Sequence, residues 1–452
     1  MIETTIIFVW MLFIIISVPG WSQMKRPNII FIISDSHRSE ALGVAGNPFV
    51  QTPHLDKLAN EGTRFENAYV TSAICMASRA SFLSGQYMSR HMITDFATDF
   101  SDETLRNTYP LLLRSSGYQI ALIGVWGVGN NPPSTHFDHW ESNIPWRTQD
   151  GVHQTDNIVQ RAVDFLENYQ SAAPFYLSVG FSAAHEIDPS NGNPATYEVQ
   201  ERYQNLYDGV LIPVPETAAP IYWNSFPDFF RTDQNIARAR WQGFFSSPEL
   251  FQKNARNYYS MVTGLDDVVG VLLEKLKDLG LDKNTIVIYT SDHGFSLNEH
   301  GLMGKWFAYE KSIRVPLIIY DPRNPKVQGK VAKQIALNID VAPTILKLAN
   351  VDVPSEMQGI DLIEMVSTNK KSLNRKEFFY EHGFLGSPQL PESYAVVRMD
   401  IKYIYYPEHQ FEEVYDLKKD PNEKVNVANS PKYSEKVKEL RRSYVQLKQF
   451  VK

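Results

Sequence analysis

The chain has 452 residues, 43% of them hydrophobic, which is enough for one large domain with a buried core and a smaller domain beside it. Its formal net charge of −7 argues against a general nucleic-acid-binding protein, because such proteins carry strongly basic surfaces. An anionic substrate is not excluded, since a few cations gathered in one pocket hardly change the total.

The chain begins with a short apolar run at residues 5–17, which is too short to span a bilayer comfortably. Gly20 and Ser22 follow it as the small residues of a cleavage site. Residues 1–22 therefore predict a signal peptide, although the usual positive charges before the run are missing, and an uncleaved anchor helix is the alternative. No later segment is long and apolar enough to cross a membrane. We expect an exported protein, periplasmic or extracellular, with no membrane span in the mature chain.

Two apolar runs end in a carboxylate, at residues 28–35 and 286–292. Such runs are typical of buried parallel strands, whose carboxyl ends often carry functional residues. Helical segments lie between and around them, at residues 53–60, 78–84, 157–168, 255–280 and 342–348. The alternation predicts an α/β fold with a large, mostly parallel sheet flanked by helices. Asp35 and Asp292 should then meet at one edge of this sheet.

The pattern changes to short alternating strands near residue 370, and a charged helix follows from Ser434 to Lys448. We therefore predict a main domain at residues 23–369 and a small C-terminal α+β subdomain at residues 370–452, an antiparallel sheet plus a helix. Within the main domain, residues 186–250 show little periodicity and are rich in proline, asparagine and aromatic residues, which indicates a loop insertion.

Cys75 is the only cysteine, so the chain has no internal disulfide. It opens the sequence Cys75-Met76-Ala77-Ser78-Arg79, and a helix-like continuation follows. A free cysteine is often just a small buried hydrophobe. The small polar neighbours and the arginine favour a second interpretation, a nucleophile at a helix N-terminus, where an anion also binds well.

This stretch resembles the signature of the type I sulfatases, Cys-x-Pro/Ala-x-Arg followed by a Ser/Thr-Gly region. The resemblance extends from about Arg26 to Ala428. It implies an alkaline phosphatase-like fold and an enzyme that hydrolyses sulfate esters of a sulfated polysaccharide or oligosaccharide. It also implies that Cys75 is oxidised to formylglycine (3-oxoalanine) by a partner maturase. Because Ala77 replaces the more familiar proline, the resemblance points to the oxygen-independent type of maturase.

The same resemblance assigns the remaining site residues. It implies that a divalent cation, most simply Ca²⁺, is held by Asp35, Cys75, Asp292 and His293, together with Ser36. It implies that the sulfate is bound and cleaved by Cys75, Arg79, His185 and Lys305, the last in the run Glu299-His300-Gly301-Leu302-Met303-Gly304-Lys305.

Three positions depart from the family pattern. Ser36 stands where a second metal carboxylate is usual, and Val125 and Gly127 stand where the family has a lysine and a histidine. Losing one preorganised cation costs about 2.7–4 kcal/mol of transition-state stabilisation. Losing an acid–base group costs about 10²–10⁴ in rate. Unless other side chains substitute, the site should be impaired; the nearest candidates by sequence are His37, His54 and His300.

Three hypotheses therefore remain open. The first is an exported sulfatase. If it is correct, the aromatic rings of residues 222–241 either stack on the sugar of the substrate or simply pack against one another. The second is an impaired homologue that binds sulfated glycans, in which Val125→Lys with Gly127→His would restore activity. The third is a phosphodiester or phosphonate hydrolase.

Overall fold

A computed structural model describes residues 26–189, 195–368, 370–384 and 390–452. The predicted signal peptide at residues 1–22 lies outside these ranges. Within them, no helix has both the length and the apolar character needed to cross a membrane.

The described strands are β1 (Asn28–Ser34), β2 (Thr63–Tyr69), β3 (Gln119–Gly124), β4 (His139–Glu141), β5 (Phe175–Gly180), β6 (Thr285–Ser291), β7 (Ser296–Leu297), β8 (Met303–Gly304), β9 (Leu317–Tyr320), β10 (Lys330–Leu337), β11 (Glu377–His382), β12 (Ser393–Arg398), β13 (Lys402–Tyr406) and β14 (Phe411–Tyr415). The described α-helices are α1 (Pro53–Glu61), α2 (Cys75–Ser84), α3 (Met88–His91), α4 (Asp102–Arg106), α5 (Tyr109–Ser115), α6 (Gln154–Asn168), α7 (Pro220–Asn224), α8 (Ile236–Phe244), α9 (Pro248–Asp278), α10 (Glu310–Ile313), α11 (Val341–Leu348), α12 (Leu362–Thr368) and α13 (Ser434–Phe450).

Eight strands form the main sheet in the order β10-β2-β9-β6-β1-β5-β3-β4, and β9 is the antiparallel member. The central strands β1, β5 and β6 are buried along their whole length, which explains their continuous apolar sequences. Alternate side chains of β1 enter two different cores: Ile29 and Phe31 pack with α2, α5 and α11, and Ile30 and Ile32 pack with α1, α6 and α9. The prediction of a mostly parallel sheet flanked by helices is confirmed.

The C-terminal part contains a separate antiparallel sheet, in the order β11-β12-β13-β14, covered by α13. A fully buried lysine links it to the main domain: Lys402 Nζ lies 2.8 Å from Glu310 Oε1 on α10 and 2.7 Å from Glu423 Oε1. Removing one member of such a buried charge cluster is costly, because the partners stay buried without compensation. The contact therefore holds the two sheets in a defined relation.

The predicted loop insertion contains helices, so that interpretation was wrong for part of residues 186–250. It includes α7 and α8, and α9 begins at Pro248 rather than at Ala255. The start signals were present: Ser247 accepts a hydrogen bond from the N–H of Leu250, and Pro248 occupies the first helical position.

The aromatic rings of this segment pack locally. The ring centroids of Phe226 and Phe230 are 4.4 Å apart, Phe230 lies 4.6 Å from Phe307, and Phe229 stacks on His409 at 3.8 Å. These contacts support the packing interpretation rather than sugar stacking.

Candidate active site

The strand register brings the predicted residues to one edge of the sheet. Ser34 of β1 pairs with Ser291 of β6, so the next residues, Asp35 and Asp292, are neighbours. The ends of β5 and β3 lie on the other side of β1, since Gly180 pairs with both Ile33 and Gly124. The segments that carry His185 and Val125 therefore leave the sheet at the same edge. They line a cavity of about 360 Å³.

Cys75 is the first residue of α2, as its sequence context predicted, and it lines this cavity. Its Sγ accepts a hydrogen bond from Lys305 Nζ at 3.0 Å and lies 3.4 Å from His293 Nε2. Burial, with the nearby Asp35 charge, raises the pKa of the Cys75 thiol well above its usual range. Cys75 is thus a neutral thiol in this environment and a poor nucleophile as it stands.

Asp35, Cys75, Asp292 and His293 form a cluster whose ligand-type atoms all lie within 4.8 Å of one another. Burial and the facing Asp35 raise the pKa of Asp292 to about 7. Burial opposes ionisation of Asp35 too, but Lys305, His185 and His293 lower its pKa well below the usual range. Two buried carboxylates that repel each other in this way suit a cation between them, so the cluster could hold a metal ion.

Ser36 lies between these carboxylates. Its hydroxyl donates to Asp35 Oδ1 at 2.9 Å and its backbone N–H donates to Asp292 Oδ1 at 3.4 Å. Its backbone has a positive φ of 63°, which places its N–H toward the cluster. Ser36 therefore contacts both carboxylates, Asp35 through its hydroxyl and Asp292 through its backbone, and contributes no charge of its own.

Arg79 is buried one helical turn after Cys75. Its Nε donates to Asp292 Oδ2 at 2.9 Å, its Nη2 lies 3.7 Å from Asp35 Oδ2, and its Nη1 donates to the carbonyl of Val125 at 3.2 Å. Arg79 therefore lines the cavity and also spans the two carboxylates, which reduces their repulsion.

Lys305 and His185 line the same cavity as Cys75. Burial opposes the charge of Lys305, but the nearby Cys75 and Asp35 raise its pKa above the usual range, so the lysine remains a cation. The Nδ1 of His185 bonds to the backbone carbonyl of Glu186. Because a carbonyl only accepts hydrogen bonds, Nδ1 carries a proton and Nε2 is the nitrogen available to the cavity.

The three histidines expected to compensate for Gly127 lie elsewhere, so that prediction was wrong. The ring nitrogens of His37 bond to the Tyr289 hydroxyl at 2.7 Å and to the Ala41 carbonyl at 2.9 Å. His54 packs against Gly270 of α9, and His300 stacks on Tyr309 with ring centroids 5.1 Å apart. Each of these rings has a structural role outside the cavity lining.

Sequence reasoning missed Arg240, which lines the cavity from α8 and forms ion pairs with Glu186 and Asp188. It also missed the cavity's aromatic and apolar wall, formed by Phe96, Trp146, Ile236, Trp306 and Phe384. Of these, only Trp306 could have been predicted from the sequence, because it directly follows Lys305. The others are distant in sequence, and only folding brings them together.

Gly127 cannot simply be converted to the family's histidine. Its φ is +77°, and a Cβ there would lie 2.5 Å from Cδ of Arg79, so Arg79 already occupies that space.

We therefore expect Gly127→His with Val125→Lys to destabilise the fold and to leave sulfate release unimproved. The left-handed backbone costs about 1–3 kcal/mol in a non-glycine residue. Displacing Arg79 from Asp292 adds to this. Denaturant unfolding and sulfate-release assays on the double variant test the prediction, with Val125→Lys alone and Gly127→Ala as controls. A double variant with wild-type stability and higher activity would contradict it.

Comparison with known proteins gives consistent matches. The family model described as Sulfatase matches residues 27–351, and the one described as N-sulphoglucosamine sulphohydrolase, C-terminal, matches residues 298–450. An N-acetylglucosamine-6-O-sulfatase of Bacteroides thetaiotaomicron is 30% identical, over 93% of this chain and 86% of that protein. An arylsulfatase of Clostridium perfringens is 28% identical, over 92% and 93% of the two chains.

One solved structure shows a protein in complex with its substrate, D-glucosamine-2-N,6-O-disulfate. It matches with a TM-score of 0.79 at 29% identity, over 94% of this chain and 98% of that one. These relatives do not favour the hypothesis of an impaired glycan-binding homologue.

Proposed function

Since this chain belongs to the sulfatase family and hydrolyses sulfate esters, we propose that it is an exported enzyme that removes sulfate from a sulfated polysaccharide or its oligosaccharides. One observation carries this proposal: Cys75 lies at the start of α2, in a cavity that also contains Arg79, His185 and Lys305 beside the acidic cluster. Three basic side chains around one nucleophile position suit the three charged oxygens of a sulfate ester.

The wall of the cavity supports a sugar as the rest of the substrate. Trp146 and Trp306 line it with their indole side chains, and Phe96 and Phe384 lie edge to face with centroids 5.7 Å apart. Aromatic faces pack well against the apolar faces of sugar rings, and a mostly apolar wall with a few polar groups is typical of ligand pockets. The relatives' names, which include an N-acetylglucosamine-6-O-sulfatase, support the same class of substrate.

Two groups would complete the site. If an oxygen-independent maturase oxidised Cys75 to formylglycine, residue 75 would supply the nucleophilic hydroxyl of a hydrated aldehyde. A divalent cation, which we propose is Ca²⁺, supplies positive charge that favours an ionised hydroxyl and offsets the sulfate's charge. The residues fit such a cation, because Asp35 and Asp292 are buried, face each other and share one cluster with His293, with Ser36 beside them.

The chain's own residues provide binding and proton transfer. Lys305 and Arg79 offer cationic donors on two sides of residue 75 and hold the sulfate with its sulfur facing that residue. His185 presents Nε2 to the cavity, so it is placed to donate a proton to the departing sugar oxygen. Burial excludes water and strengthens each of these interactions.

The direct test is free sulfate released from sulfated polysaccharides and oligosaccharides, with a phosphodiester in the same panel. The protein is co-expressed with an oxygen-independent maturase, and the mass of the Cys75 peptide confirms its conversion. Sulfate release supports the proposal. Cleavage of the phosphodiester alone would identify a phosphoryl hydrolase, and tight glycan binding without release by converted protein would identify a non-catalytic homologue.

The metal site gives a separate prediction. Ca²⁺ at a hundredfold excess over its Kd should stabilise the native state by about 2.7 kcal/mol, because it binds only the folded cluster. Thermal unfolding with a Ca²⁺ series measures this. Asp292→Asn should remove the shift, whereas Asp321→Asn, which alters a buried carboxylate outside the cavity lining, should keep it. A wild-type midpoint that does not respond to Ca²⁺ contradicts the assignment.

A further inference from the structure

Glu186 is a buried carboxylate directly behind the cavity. It is 1% exposed, and its Oε2 has no hydrogen-bond partner among the residues that the structure describes. That oxygen lies 3.7 Å from Nδ1 of His185, the histidine that faces the cavity. Its other oxygen, Oε1, forms an ion pair with Arg240.

Burying such a carboxylate is costly unless its charge is compensated. Burial raises the pKa of Glu186, but His185, Arg240 and Lys305 together lower it below the usual value, so the group stays ionised. Arg240 compensates one side of the charge, and it is itself held by Asp188, with Nη2 2.6 Å from Asp188 Oδ1. The uncompensated oxygen is the one beside His185.

We propose that Glu186 acts through His185 as a positioning residue: its ionised carboxylate, beside Nδ1, stabilises the doubly protonated ring that donates to the departing sugar oxygen. The backbone carbonyl of Glu186 holds the orientation of the ring, so the side chain contributes the charge. This inference rests on the proposed function. In the step concerned, the bond from the nucleophile's oxygen to sulfur forms as the bond from sulfur to the sugar oxygen breaks. The electron pair stays on the sugar oxygen, and the proton of Nε2 moves to it.

The remaining surroundings of His185 explain why such support is needed. The Asp35 carboxylate, which follows β1, and the Lys305 cation both line the same cavity as His185, and the neutral His293 ring follows β6. A lysine alone would disfavour a second cation beside it. A carboxylate behind the ring offsets this repulsion, as carboxylates behind functional histidines commonly do.

The test compares two substrates in the fully converted enzyme. A sugar sulfate has a poor leaving oxygen that needs a proton, whereas 4-nitrophenyl sulfate releases a stable phenolate that needs none. Glu186→Gln keeps the backbone carbonyl that orients the ring but removes the charge beside it, and it should lower kcat on the sugar sulfate about 10–100-fold, the usual cost of losing a carboxylate behind a functional histidine. KM on the sugar sulfate, and kcat on the aryl sulfate, should change little.

Two controls isolate the effect. Asp321→Asn removes a buried carboxylate outside the cavity lining and should leave the ratio of the two kcat values unchanged. In a His185→Ala background, Glu186→Gln should have no further effect on that ratio, because the residue it supports is gone. Glu186→Asp keeps the negative charge but places it farther from Nδ1, so its ratio of the two kcat values should lie between those of the wild type and Glu186→Gln. This variant tests the inference even if Glu186→Gln folds poorly.

Equal losses on both substrates, or no loss on the sugar sulfate, would overturn the inference. A further change in the ratio in the His185→Ala background would overturn it as well. If the converted wild type releases sulfate from neither substrate, the proposed function fails instead, so the two failures are distinguishable.

Discussion

Cys75→Ala should reduce sulfate release by about 10⁴-fold or more, because alanine lacks the thiol that the maturase oxidises, so the proposed nucleophile cannot form. The fold should survive the change. The thiol is only partly buried, and its contacts, to Lys305 Nζ and His293 Nε2, are to side chains that keep other partners. Alanine also favours the helix, so the unfolding free energy should change by less than about 1 kcal/mol.

The measurement is sulfate release from the same oligosaccharide panel, with circular dichroism and thermal unfolding as checks of folding. A matched control is Ser84→Ala at the other end of α2, where the lost hydroxyl donates to the carbonyl of Ala80 and accepts from the N–H of Gln86. That variant should keep wild-type activity. A Cys75→Ala protein that retains a tenth of the activity would show that another residue attacks sulfur.

Lys305→Ala should lower kcat by about 10²–10³, corresponding to about 2.7–4 kcal/mol of lost transition-state stabilisation. Its ammonium lies 3.0 Å from Cys75 Sγ and 3.8 Å from Asp35 Oδ1. It is therefore beside residue 75, where negative charge accumulates as the bond from sulfur to the sugar oxygen breaks. In this chain Val125 supplies no second lysine. The effect should therefore fall at the upper end of that range, with a smaller change in KM.

Steady-state kinetics of sulfate release on the fully converted variant checks this expectation. Lys311→Ala is a suitable control, since Lys311 pairs with Glu40 in a different cavity and its loss should leave kcat unchanged. Conversion must be measured in parallel, because Lys305 contacts Cys75 directly. A kcat within threefold of wild type would mean that Lys305 does not act on the charge that develops during the reaction.

Local sequence was enough to predict the main sheet and most of the polar residues at its edge. The continuous apolar runs at residues 28–35 and 286–292 are typical of buried parallel strands, and their terminal aspartates should then be neighbours, because parallel strands present their carboxyl ends at one edge. The position of Cys75 at a helix start followed from the small polar residues around it. Each of these patterns is short-range and can be recognised within a single segment of the chain.

Sequence could not reveal what replaces the missing side chains at Val125 and Gly127. The histidines that seemed nearest in sequence have structural roles elsewhere, and Arg79 fills the space that a histidine at position 127 would need. Only the packed structure shows that this glycine and the position of Arg79 depend on each other.

The chain's own pattern thus determined the fold class, the position of Cys75 at the start of a helix and the meeting of Asp35 and Asp292 at one sheet edge, because apolar periodicity and strand ends are local properties. Tertiary structure alone decided that Arg240 and the aromatic wall belong to the same cavity and that Glu186 lies directly behind it. These residues come from α8 and from loops far apart in sequence, and their pairing depends on how α8 packs against β8 and the loop after β5. No short-range pattern encodes such contacts, since their free energy is gained only when the segments are already assembled.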